Sequence, residues 1–142
     1  MIRDAQLMPS DAQPMAGAAG TVAPTNSIDL LSENRNLGRG QPMRAVVTVD
    51  VTCTGGISIQ PRLIESDNAD LSGATVIATG PVVAEADLTA GEKIWDTALP
   101  DNSKRFIGFQ YVKAGTHTAG ALTAAIVSDS DNQPYLPANT GF

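Results

Sequence analysis

An all-β fold, a sandwich or barrel of antiparallel strands, is predicted by three features of the 142-residue chain. Apolar and polar residues alternate in several short runs, the period of a strand with one buried face. Clusters of Gly, Pro, Asn and Asp separate those runs and supply turn chemistry. No segment of twelve or more residues holds the 3.6-residue period of an amphipathic helix.

Residues 1–25 are rich in Ala, Gly, Pro, Gln and Met and read as an extended arm. "TNSIDL" (Thr25–Leu30) is a first short strand, and "LSENRNLGRGQP" (Leu31–Pro42) a polar loop punctuated by Gly and Pro. The clearest signal begins at Met43. In "MRAVVTVDVTC", Val47, Val49, Val51 and Cys53 share one face, while Arg44, Thr48, Asp50 and Thr52 lie mainly on the other. "TGG" (Thr54–Gly56) turns the chain. "ISIQPRLIES" resumes the alternation, with Ile57, Ile59 and Leu63 on one side. Pro61 cannot donate to a ladder and predicts an edge strand or a bulge there. "TVIATG", "PVVAEADL" and "KIWDTAL" supply further short strands. "KRFIGFQYVKAG" aligns Ile107, Phe109 and Tyr111, and "AGALTAAIVSD" aligns Leu122, Ala124 and Ile126. The β-branched Thr123, Ile126 and Val127 favour a strand over a helix in this last run. The chain thus divides into an arm (1–25), a β-domain (26–130) and an irregular, Pro-containing tail (131–142).

Composition narrows the function. Hydrophobic residues make up 42% and charged residues 17%, which describes a globular chain. Its formal charge of −6 opposes nucleic-acid binding, which draws affinity from cations on phosphates. Arg35, Arg39 and Arg44 come closest to a basic patch, and Asn and Gly interrupt them. No apolar run approaches the 18 residues of a membrane span. The acidic Asp4 and Asp11 argue against a secretory signal at the start. Cys53 is the single cysteine, which excludes an intrachain disulfide and suits assembly in a reducing cytoplasm.

Catalytic chemistry finds little support. A nucleophilic triad must recruit the only histidine, His117, which sits in "AGTHTAG", a turn of small polar residues, and no G-x-S-x-G elbow is present. The expectation for His117 is a solvated or contact-making turn residue. Histidine and cysteine spacings for zinc are missing, and "ESDNAD" and "SDSDNQ" depart from the EF-hand loop. No metal, cofactor or catalytic residue is therefore expected. Aromatic residues, at 4%, are too sparse for the stacking platform of a typical sugar-binding module.

Several stretches, in order, resemble one family. "MIRDAQLMPSDAQ", "TNSIDL", "GQPMRAVVTVDVT", "ISIQPRLIESDNADLSGATVIATGP" and the closing "LTAGEKIWDTALPDNSKRFIGFQYVKAGTHTAGALTAAIVSD" are similar to the Bbp16-like capsid cement proteins of tailed bacteriophages. The resemblance implies a jelly-roll β-sandwich on the outside of an icosahedral head, assembled in the host cytoplasm, tying together neighbouring copies of the major capsid protein. It implies no enzyme, no nucleic-acid partner and no membrane. Self-association is expected, as a dimer on a two-fold seam or, alternatively, a trimer. Three contact regions follow as expectations: apolar anchors Ile2, Leu7 and Met8 on the arm, the cations Arg35, Arg39 and Arg44, and the hairpin at His117. The rival readings are a carbohydrate- or host-surface-binding sandwich on the virion and a small hydrolase built on His117.

Overall fold

A computed structural model describes residues 7–30, 43–100 and 103–128. The strands in those residues are β1 (Ser10–Pro14), β2 (Gly20–Val22), β3 (Ile28–Asp29), β4 (Met43–Thr54) and β5 (Ser58–Ser66). They continue as β6 (Thr75–Thr79), β7 (Val83–Ala84), β8 (Lys93–Ala98), β9 (Phe106–Ala114) and β10 (Ala119–Ser128). The fold is all-β and antiparallel. One sheet has the order β1-β10-β4-β8, and the second β2-β9-β5-β6, with β3 also on β9 and β7 on β5. The pairing is nested: β1 meets β10, while β2 and β3 meet β9.

The two sheets enclose the core. Val47, Val49, Leu122, Ala124 and Ile126 face it from one sheet; Ile59, Leu63, Ile107, Phe109 and Tyr111 face it from the other. The predicted faces of β9 and β10 are these same residues. Trp95 of β8 meets Phe109 edge to face across the gap, with ring centroids 6.2 Å apart. Each such fully buried Leu, Ile or Phe contributes about 1.5–3 kcal/mol by leaving water.

Four expectations are corrected. First, residues 10–22 are not a free arm, because β1 and β2 are strands of the two sheets. The connecting Met15 is fully buried in the core. Polar bonds fasten this segment: Gln13 Nε2 donates to the Ala23 carbonyl at 2.6 Å, and Ala12 N donates to Thr123 Oγ1 at 3.0 Å. Second, Pro61 is not at an edge; β5 runs between β9 on one side and β6 and β7 on the other. Its missing N–H falls in the gap between β6 and β7, where its carbonyl accepts from Gly80 N at 2.8 Å. Third, Val51 leaves the core face and is 51% exposed. The β4–β10 register shifts beside it, and β8 pairing stops at Thr48. Fourth, Ile57 is an exposed turn residue, while Ile59 and Leu63 stay inside.

Candidate binding surfaces

Of the seven expected contact residues, Ile2, Arg35 and Arg39 lie outside the described residues. Leu7 packs half-buried against the core between the sheets. Met8 packs against Val46, Ala125 and Val127 on the other face of the four-stranded sheet. The two neighbours thus clasp the edge of that sheet, one on each side. Arg44 is turned away from the core, as its place in β4 predicts. Its Nε meets Asp96 Oδ1 at 2.5 Å, and Lys93 Nζ meets Asp96 Oδ2 at 2.8 Å, so this cation already has a carboxylate of its own chain.

His117 corrects the expectation most. It is buried, at 1% exposure, rather than solvated on its turn. Its backbone pairs with Gly17, with His117 N donating at 3.0 Å and Gly17 N at 2.8 Å. Its ring lies so close to Gly56 that a Cβ there would stand 2.1 Å from Cε1. Neither ring nitrogen has a hydrogen-bond partner. The missing side chain of Gly56 makes this depth possible. His117 therefore fills the end of the sandwich, and among the described residues no acid or nucleophile is hydrogen-bonded to its ring.

Two buried charged residues escaped the sequence reading. Lys113 continues the inward face of β9 beyond Tyr111, and its Nζ donates to the Met15 carbonyl at 2.8 Å. It ties the first strand segment to the centre of the other sheet. Glu65 accepts from Ser103 N at 2.7 Å, Ser103 Oγ at 2.6 Å and Lys104 N at 3.2 Å. Burial works to raise its pKa, but these bonds outweigh burial and hold the carboxyl below its usual range. The periodicity of "ISIQPRLIES" gave no sign of this role, because the bonds come from a loop 38 residues away.

The acid cluster of "ESDNAD" is thereby occupied with loop geometry. Glu65 caps residues 103–104, and Asp70 Oδ1 accepts from Ser72 N at 3.0 Å. That backbone bond, helped by the Ser72 side chain, lowers the Asp70 pKa. Cys53 is buried, and burial followed by the nearby Glu85 charge raises its thiol pKa, the opposite of what a nucleophile needs. Trp95, Phe109 and Tyr111 all face the core, which leaves none of them as a sugar platform. Phe106 is half-buried under the Arg105 guanidinium, 5.0 Å from its ring centre, and Arg105 in turn grips both oxygens of Asp29.

The surfaces of the described residues, then, offer packing and polar contacts. The Bbp16 family profile matches residues 10–126. The chain belongs to the Bbp16 family. The match starts at the first residue of β1 and stops two residues before the end of β10, so it spans both sheets. Residues 10–25, expected as arm, lie inside the shared domain. Bbp16 is a phage-associated family. No curated protein matches the chain.

Proposed function

We propose that this Bbp16-family protein is a structural component of a tailed-phage virion: a cement protein on the outer surface of the head that bridges neighbouring major capsid subunits. The observation that carries the reading is the family match across the whole two-sheet body. The nested pairing of early with late strands supports the jelly-roll winding that the family resemblance implies.

The proposed work is binding, without catalysis, cofactor, nucleic acid or membrane. Packaged DNA loads the seams between capsomers. A protein docked across a seam adds binding free energy that must be lost before the seam opens. One interface of standard size buries about 1,600 Å² in total. A second contact from the same molecule is effectively intramolecular and raises avidity without new chemistry. A homodimer on a two-fold seam supplies this symmetrically. The inward aromatics weigh against the sugar-binding alternative, and the buried His117 weighs against a hydrolase.

The test is stoichiometry on purified particles. The protein is expected to co-purify with intact heads at a copy number comparable to that of the major capsid protein. A few copies per particle, or none, would refute the cement role.

A further inference from the structure

The outward face of the six-stranded sheet carries little charge around the middle of β5 and β9, while the Asp29–Arg105 pair sits at its end beside Phe106. Pairing fixes which side chains share it. Ile59, Leu63, Phe109 and Tyr111 point into the core, so Gln60, Arg62, Gln110 and Val112 point away. Gln60 lies opposite Val112, and Arg62 opposite Gln110 on one side and Thr79 on the other. Val82, 65% exposed, adjoins Gln60 just before β7. Arg62 is the one charged residue in this group, in a chain of 9 basic and 15 acidic residues.

Arg62 is also poorly met by its own chain. Its Nε is buried with no hydrogen-bond partner, and Nη2 reaches Gln60 Oε1 only at 3.4 Å. Arg44 and Arg105, by contrast, hold Asp96 and Asp29 at 2.5 and 2.7 Å. A cation ringed by amides and small apolar groups has the composition of an interface centre, where charge is depleted and arginine enriched.

We infer that this face, centred on Arg62, is a docking surface for an acidic patch on another protein, which on the reading above is a neighbouring capsid subunit. Charge complementarity selects that partner. A carboxylate brought to the Arg62 guanidinium gains a charge-assisted hydrogen bond on leaving water. A second copy meeting this face symmetrically would bring another Arg62 and none of the acids it lacks.

The experiment compares full-length variants for binding to heads assembled without the protein. Arg62→Glu is expected to weaken binding roughly tenfold or more, with Arg62→Lys in between. Val82→Asp, at an exposed position, is expected to weaken binding in the same direction with an unchanged melting temperature. It keeps the test decisive even if Arg62→Glu disturbs folding. If wild type binds and both Arg62→Glu and Val82→Asp bind equally well, this face is not the dock, while the cement role stands. If wild type itself does not bind heads, the cement role and this dock fall together. If the variants lose only self-association, the partner is a second copy and the inference is overturned.

Discussion

At the scale of single residues, depth decides what a polar group does. His117 has a chemically versatile ring, yet it lies against Gly56 and makes no ring hydrogen bond. Its tolerance is steric, so the partner glycine is the sensitive position. Gly56→Ala is expected to cost about 1–3 kcal/mol in urea unfolding, because the added Cβ overlaps the ring. Combining it with His117→Ala should give less than the sum of the two costs, since the overlap is then gone. Strict additivity would show that the clash is relieved elsewhere. Glu65 makes a prediction in pH. Its hydrogen bonds stabilise the charged form, so the folded pKa lies below the unfolded one. The stabilisation is complete above the unfolded value of about 4.3 and fades as pH falls through the lower folded value. Glu65→Gln is expected to lose about 1–2 kcal/mol at neutral pH, because its amide cannot accept all three bonds. The gap from wild type should then narrow on acidification below about pH 4.3. A gap independent of pH would assign the loss to packing.

At the scale of elements, the first strands decide how the chain can be cut. β1 covers the edge of β10, and Met15 seals the core behind it. Removing residues 1–20 therefore takes away a strand as well as the terminal residues. Met15→Ala alone is expected to cost about 2–5 kcal/mol, measured by denaturant midpoint. A cost below about 1 kcal/mol would restore the reading of this segment as a loosely attached arm. These elements also show what the sequence could carry. β9, which has one apolar face, is legible because burial imposes a period of two; the inward residues of β10 are also read correctly, although Thr123, Ala125 and Val127 on its other face are buried as well. β1 is not legible, since its fastening comes from Ser10, Gln13 and backbone bonds that leave no apolar alternation. Of the edge or bulge that Pro61 predicts, the edge is excluded, because the meaning of its missing N–H depends on which neighbour it faces. Among contact residues, Arg44 was placed on the correct face, but its pairing with Asp96 joins residues 52 positions apart. The alternation of "ISIQPRLIES" puts Arg62 on the outward side, but the lack of a partner for its Nε is a property of the sheet around it, not of its own strand.

At the scale of the whole molecule, the cement proposal is a claim about linkage. A protein that binds the closed seam and not the open one stabilises the closed state in proportion to the logarithm of its free concentration, about 2.7 kcal/mol per site at a hundredfold excess over Kd. Heads titrated with the protein should then release DNA at temperatures that rise with added protein, continuing upward beyond apparent saturation. A simple coat that touches one capsid subunit at a time has no preference for the closed seam and produces no such rise. Bridging adds a kinetic signature. When two contacts hold one molecule, both must open together for release, so dissociation from intact heads should be at least tenfold slower than from isolated capsid subunits. Weakening either contact, for instance through Arg62→Glu, should bring the two rates together. Equal rates for wild type on heads and on single subunits would mean that each molecule has one foothold, and a protein with one foothold cannot hold a seam shut.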